Sequence, residues 1–325
     1  MSFRQVEGQE RVKRILQNSL RADKVSHAYI FTGPAGTGRQ AMALAFAQAI
    51  YCKVLPDDAC GECLDCRKVE HGNHPDLHTV MPDGASIKID QIRELQKQFS
   101  YRASASGVKM YIIHEAEKMT VQAANSLLKF LEEPTSQIVA ILITENGNAL
   151  LPTIRSRAQW ISFLPMNRSQ MTQQLLEEGL PPALVKVAVH MAAGPAAARE
   201  RIQTNGFAEV RNLVIQLTRE SFTRLPTALL TAQQKLTKGA LAEELTAFMD
   251  MLILWLKDMV QLHLGNREAL VYADQAEWMA PQALTYPLEH WIACLEQTID
   301  TQKKLRFHAN PQLMLETILM QLKGV

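Results

Sequence analysis

Apolar residues fall along the first half of the chain in two rhythms. Ala28-Tyr29-Ile30-Phe31-Thr32, Met110-Tyr111-Ile112-Ile113 and Ile138-Val139-Ala140-Ile141-Leu142-Ile143-Thr144 are short runs without polar alternation. Such runs predict strands buried on both faces, as in a parallel sheet. Between them apolar residues recur at three- and four-residue steps. Met42, Phe46 and Ala49 do so within 39–50, Ile89, Ile92 and Leu95 within 87–99, and Ala123, Ala124, Leu127, Leu128 and Leu131 within 120–133. That spacing predicts helices, with Pro134 ending the third. Strands alternating with helices predict an α/β domain whose parallel sheet is covered on both faces.

After Phe163-Leu164-Pro165 the strand pattern stops and helical spacing takes over. Three small helices are predicted at 170–178, 183–193 and 196–203, broken by Gly179-Leu180-Pro181-Pro182 and Gly194-Pro195. A larger helical region starts near 206. Its clearest element runs over 240–264, with Leu241, Leu245, Phe248, Leu252, Leu256 and Met259 on one stripe and Gly265 as its stop. Further helices are predicted at 282–304 and 311–323. The expected organisation is an α/β domain over 1–165, a small helical lid over 166–205 and an all-α domain over 206–325. No internal repeat or low-complexity tract is visible.

A length of 325 residues allows two or three domains, and 47% hydrophobic content supports real cores. The formal charge of +1 lacks the footprint of a stand-alone nucleic-acid binder. No apolar run reaches the roughly 18 residues of a membrane span. Met1-Ser2-Phe3-Arg4-Gln5 has no signal-peptide apolar core, so a cytoplasmic location is expected.

In a reducing compartment the cysteines then point to metal rather than disulfides. Cys60-Gly61-Glu62-Cys63-Leu64-Asp65-Cys66 carries three thiols at x2 spacing, and Cys52 lies upstream. Cys52, Cys60, Cys63 and Cys66 suffice for a closed tetrahedral zinc site of the structural kind, within an insert at about 52–80. The rival is an iron–sulfur cluster, since C-x2-C-x2-C also begins the bacterial ferredoxin run. That run continues x3-C-P, whereas Arg67-Lys68-Val69-Glu70 follow here, which favours zinc. His71 and His74 are expected to be ordinary loop histidines, and Cys294 a small core residue.

Gly33-Pro34-Ala35-Gly36-Thr37-Gly38-Arg39-Gln40 lies between a predicted strand and a predicted helix. This is the setting of a phosphate-binding loop, G-x-x-x-x-G-K-[ST], whose Lys reaches the β/γ-phosphates and whose hydroxyl ligates Mg²⁺. Gly33, Gly36 and Gly38 keep the frame, but Arg39 replaces the Lys and Gln40 the hydroxyl residue. His114 stands at the strand end where P-loop ATPases place a metal-holding Asp, followed by the carboxylate Glu115. Imidazole suits Mg²⁺ poorly. Two metal contacts are missing from one site, so no intrinsic ATP/Mg²⁺ hydrolysis is expected. A nucleotide-binding or weakly active ATPase stays open as the alternative, since guanidinium also binds phosphates. Metalloprotease chemistry is excluded because Lys118 stands where H-E-x-x-H needs its second His. No paired metal-binding carboxylates of polymerase type stand out.

The order of these features resembles a known family. A Gly8-Gln9-Glu10 box, the glycine loop, the four-cysteine insert and the His114-Glu115 box come first. Ala123-Ala124-Asn125-Ser126-Leu127-Leu128-Lys129-Phe130-Leu131-Glu132-Glu133-Pro134 and Thr153-Ile154-Arg155-Ser156-Arg157 follow. Over roughly 1–210 this is similar to the AAA+ subunits of the bacterial sliding-clamp loader of DNA polymerase III. The resemblance is to a non-hydrolysing stator subunit more than to the gamma/tau ATPases, whose Lys, Ser/Thr and Asp are intact. It implies a hetero-oligomer with gamma/tau and delta subunits, joined through a C-terminal helical collar. Sliding clamp and primer-template DNA are then met through the assembly. It also implies that Arg157 is an arginine finger acting on a neighbour's ATP. Ala158 replaces the Cys of the family's Ser-Arg-Cys motif, and Ala197 stands at the place of the lid's sensor Arg. Thr144 is at the place of the first sensor, where a purely structural hydroxyl fits equally well. Without the resemblance, Arg157 reads as a surface ion-pair residue. An active gamma/tau-type subunit is the alternative within the family.

Overall fold

The three apolar runs form the centre of a five-stranded parallel sheet. In the computed structural model, which describes residues 1–100, 107–132, 137–237, 239, 241–305 and 310–324, the chain divides into two compact units, Met1–Asn167 and Arg168–Val325. Pro134, expected to end a helix, lies outside the described residues.

The first unit comprises α1 (Glu10–Arg21), β1 (Ala28–Thr32), α2 (Arg39–Tyr51), α3 (Leu64–Glu70), β2 (Leu77–Val80), α4 (Ile89–Ser100), β3 (Val108–Ile113), α5 (Val121–Glu132), β4 (Gln137–Thr144), α6 (Pro152–Arg155) and β5 (Gln159–Ser162). The sheet order is β2-β3-β4-β1-β5. Ala28 pairs with Ala140 and Thr32 with Thr144, so β1 and β4 end level with each other. Alternate residues serve two cores. Tyr29, Phe31, Ile112, Ile141 and Ile143 pack with Val12 and Leu16 of α1 and Met42 and Phe46 of α2. Ile30, Tyr111, Ile113 and Leu142 pack with Ile92 and Leu95 of α4 and Ala123 and Leu127 of α5.

Several elements depart from the sequence expectations. Strands β2 and β5 are four-residue edges, and β5 buries only Ile161, so neither makes an apolar run. Helix α1 lies ahead of the elements predicted from the apolar pattern, with Val12 and Leu16 one turn apart on its buried face. Helix α2 is buried all round, with Ala43, Ala45 and Ala47 covered as well as Met42, Phe46 and Ala49. Its small residues let the sheet and the cysteine insert approach it together. Thr120 caps α5, its hydroxyl accepting from the Ala123 N–H at 3.2 Å.

The second unit is helical throughout its described residues. It comprises α7 (Arg168–Glu177), α8 (Pro182–Met191), α9 (Pro195–Gln203), α10 (Phe207–Thr223), α11 (Leu225–Ala232), α12 (Leu245–His263), α13 (Ala276–Ala283), α14 (Leu288–Leu305) and α15 (Pro311–Leu322). The helix expected over 240–264 starts about five residues later, at Leu245. Gln233–Thr237 instead form a π-helical turn, and Leu241 is buried ahead of α12. The helix expected over 282–304 breaks between α13 and α14, where Pro287 offers no N–H to continue the ladder. Trp255, Met259, Tyr272 and Trp291 are fully buried in this core.

Asp258 is buried within it. Its carboxylate accepts from the Val271 N–H at 3.1 Å and the Tyr272 N–H at 2.7 Å, and burial pushes its pKa up to about 6 from an ordinary 3.8. The folded chain therefore holds this proton more tightly than the unfolded chain, so this group's contribution to stability falls as pH rises from about 4 to about 6. We expect Asp258→Asn to flatten that slope in urea titrations. Asp258→Ala leaves two buried N–H groups unpaired and should cost about 2–4 kcal/mol.

Candidate functional site

The glycine loop leaves β1 and enters α2 at the end of the sheet where β1 and β4 stop. The Gly33 N–H donates to the Thr144 carbonyl at 3.3 Å. A Cβ on Gly33 would lie 2.4 Å from the Phe163 carbonyl oxygen, so the backbone itself demands glycine there. Gly33→Ala should destabilise the chain by about 2–3 kcal/mol in chemical denaturation. The Thr37 hydroxyl donates to the Pro34 carbonyl at 2.8 Å. Gly38 has φ +83° at the head of α2, a left-handed turn that a side chain rarely adopts.

The loop is tied down by side chains. Gln9, at the start of α1, donates through Nε2 to the Thr37 carbonyl at 3.2 Å and the Leu164 carbonyl at 2.7 Å, and its Oε1 accepts from the Leu164 N–H at 3.4 Å. Arg39 is largely buried, with its guanidinium 3.7 Å from the Glu145 carboxylate. Burial pulls the Arg39 pKa down, while Glu145 and Glu117 pull the other way. Glu117 also accepts from the Glu145 N–H at 3.1 Å. The cation at the P-loop lysine position thus faces carboxylates of its own chain. Gln40 is exposed. His114 is buried just beyond β3, and burial holds its imidazole below the ordinary value. Glu115 has φ +46° and pairs with Lys118 Nζ at 2.6 Å. The Thr144 hydroxyl accepts from the Asn146 N–H at 3.1 Å, a turn-forming contact.

Cys52 caps the end of α2, Cys63 caps the start of α3, Cys66 lies within α3 and Cys60 precedes them. Their four sulfurs lie within 4.8 Å of one another, and Cys60 and Cys66 Sγ are 3.9 Å apart. A tetrahedral ion with metal–sulfur bonds of about 2.3 Å needs sulfurs about 3.8 Å apart. The backbone N–H groups of Leu55 and Cys60 donate to Cys52 Sγ, each at 3.4 Å, and that of Cys63 to Cys60 Sγ at 3.3 Å. The Cys63 and Glu62 N–H groups pull Cys60 down to about 7, whereas burial pushes Cys66 up. This donor set fits a soft divalent ion with no open position.

His74 stands outside the four thiols. It is buried, stacks on Tyr51 with ring centroids 3.9 Å apart, and accepts at Nδ1 from the Asp76 N–H at 3.3 Å. His71 is exposed. The insert is also latched to the start of the chain: the buried Asp58 carboxylate accepts from the Phe3 N–H at 2.9 Å. Cys294 is a buried core thiol whose pKa is pushed up to about 12 by desolvation.

Arg157 leaves the single-turn helix α6. Ile154, fully buried, anchors that turn. The Arg157 N–H donates to the Ile154 carbonyl at 3.1 Å, and its Nη1 to the Thr153 carbonyl at 3.1 Å. The side chain is exposed. Arg155 lies over the Trp160 ring, its guanidinium carbon 5.5 Å from the centroid, and its carbonyl accepts from the Trp160 Nε1–H at 3.3 Å.

The family model described as "DNA polymerase III, delta subunit" matches residues 8–167, and that described as "DNA polymerase III, delta subunit, C terminal" matches 207–324. DNA polymerase III subunit delta′ of Bacillus subtilis (strain 168) is 36% identical over 318 residues, 97% of this chain and 96% of that protein. The chain belongs to the delta′ family of DNA polymerase III clamp-loader subunits. Delta′ of Pseudomonas aeruginosa PAO1 is 29% identical over 314 residues, 91% of each chain. The tau subunit of Bacillus subtilis is 39% identical over 163 residues, but these are 50% of this chain and 29% of tau. Similarity to delta′ runs the length of both chains, and similarity to tau does not. The parallel five-stranded α/β unit followed by a helical unit is as the sequence resemblance implies. No described helix is long and apolar enough to cross a membrane.

In this delta′-family chain the glycine frame and the thiols are legible in the sequence, whereas Gln9, Glu117, Glu145 and Trp160 take on a site role only in the fold. The clue to Glu145 is its position one residue past β4, beside the strand that delivers Arg39. Reading it requires knowing that β4 neighbours β1.

Proposed function

We propose that this delta′-family chain is the stator of the replicative clamp loader. It turns over no ATP itself and lends Arg157 to the nucleotide of a neighbouring gamma/tau-type subunit. Gly33, Gly36, Gly38 and Arg39 then form a degenerate P-loop kept for its shape, with Glu115 left beside it. The observation that carries this reading is Arg39 turned toward Glu145: the cation that should meet phosphate is met by an internal carboxylate. The exposed Arg157 supports the second half, because a guanidinium supplied in trans must project from its own fold.

On this reading residues 166–205 are the lid and 206–325 the collar that joins gamma/tau and delta subunits. The assembly, rather than this chain alone, meets the sliding clamp and primer-template DNA. Cys52, Cys60, Cys63 and Cys66 would hold a structural Zn²⁺, which supplies cross-linking of the insert and no reaction chemistry. A replication protein of this kind works in the cytoplasm. The test is direct. The purified chain should hydrolyse no ATP above background, yet its addition to gamma/tau and delta subunits should restore clamp loading onto primed DNA. Sustained turnover by the chain alone would overturn the reading.

A further inference from the structure

We infer that Trp160 is the positioning residue for the Arg157 turn, holding it against the loop at 145–149. This rests on the reading of Arg157 given above. Trp160 lies on the edge strand β5 and remains 37% exposed, so burial alone does not explain so large a side chain. Its contacts do. The indole N–H holds the Arg155 carbonyl at 3.3 Å, and Arg155 covers the ring face. Arg155 ends α6, two residues before Arg157.

The ring also rests on Gly147. A Cβ there would lie 2.7 Å from Cζ3 and 2.8 Å from Cη2 of Trp160, so the ring occupies space that any other residue would claim. Gly147 is itself fixed, its N–H donating to the Thr32 hydroxyl at 3.3 Å. Glu145, two residues earlier, is held by Arg39 at 3.7 Å and through its N–H by Glu117 at 3.1 Å. A line of contacts therefore runs from the glycine-loop helix through 145–147 and the indole to the Arg155 carbonyl, two residues before Arg157. In a nucleotide-binding P-loop the cation at this position is engaged by phosphates; here the Arg39 guanidinium braces the loop instead.

The test uses the reconstituted assembly with gamma/tau and delta subunits. Steady-state ATP hydrolysis on primed DNA is measured for Trp160→Phe, Gly147→Ala and Arg157→Ala, per assembled complex isolated by size exclusion. Trp160→Phe keeps an aromatic ring but deletes the N–H, and Gly147→Ala displaces the ring. Misplacement of a catalytic group by about 1 Å costs up to roughly a hundredfold, so we expect each to lower kcat about tenfold. KM for ATP and the yield of complex should stay unchanged for both, and Trp160→Phe should also leave the thermal midpoint of the isolated chain unchanged, so that its loss of kcat is not a loss of folding. If Arg157→Ala lowers kcat while Trp160→Phe and Gly147→Ala leave it intact, the positioning role is wrong and the arginine finger stands. The positioning role is equally wrong if those two variants lower only thermal stability or assembly. If Arg157→Ala itself leaves kcat unchanged, the reading beneath it fails as well.

Discussion

Replacing Arg157 with alanine should lower ATP hydrolysis by the reconstituted clamp loader by about 10³-fold at the site it serves, the lower end of what arginine fingers contribute to phosphoryl transfer. In free-energy terms this is about 4 kcal/mol of transition-state stabilisation. The folded chain should hardly notice. The side chain is exposed, and its Nη1 contact is with the Thr153 carbonyl one turn back; surface substitutions of this sort usually stay within about 0.5 kcal/mol. The measurement is therefore clean: single-turnover hydrolysis and clamp loading fall, while complex yield and thermal midpoint hold. Arg157→Lys should recover little, because ammonium lacks the planar fork that matches two phosphoryl oxygens. Unchanged hydrolysis in Arg157→Ala would return this residue to the role of an ordinary surface cation.

The second large effect is expected at the thiols. Cys60→Ser, or treatment with a strong chelator, should remove one equivalent of zinc per chain, read by elemental analysis. It should cost about 3 kcal/mol of stability, roughly 6–12 °C in Tm for a unit of this size. That is far less than the roughly 10–16 kcal/mol with which zinc folds an isolated finger peptide. The reason is that the insert has other anchors: Gln48 of α2 donates to the Cys66 carbonyl at 2.8 Å, and Tyr51 to the Asp76 carbonyl at 2.8 Å. Damage should therefore stay within residues 52–76, ahead of β2, and leave the sheet intact. Visible absorbance and iron in place of zinc would show that the thiols hold a cluster instead. Absence of any metal from freshly purified chain would refute the assignment altogether.

What can be read from sequence follows how locally each feature is encoded. Strands β1, β3 and β4 stand out because both faces of each are buried, leaving runs such as Ile138–Ile143 with no polar residue. Strands β2 and β5 border only one neighbour each and keep half-exposed side chains, so their apolar content falls to that of a loop. The break before Pro287 is masked because the apolar spacing continues across it through Leu284 and Leu288. The thiols lie within fifteen residues and the glycine loop within eight, so short-range spacing suffices for both. Glu145 and Trp160 acquire meaning only through the strand order, which sets β1 between β4 and β5. No local pattern states that order.

The grip of Asp58 on the Phe3 amide joins two stretches 55 residues apart. One proton of the backbone thereby becomes a gauge of the cysteine loop: while the loop keeps its shape, hydrogen–deuterium exchange at Phe3 should be slow, and each opening of the loop should expose it. A fusion partner attached ahead of Met1 would remove the ammonium that pairs with Glu70 at 4.0 Å and load the Phe3 latch, so a tag there should reach the cysteine insert by both contacts.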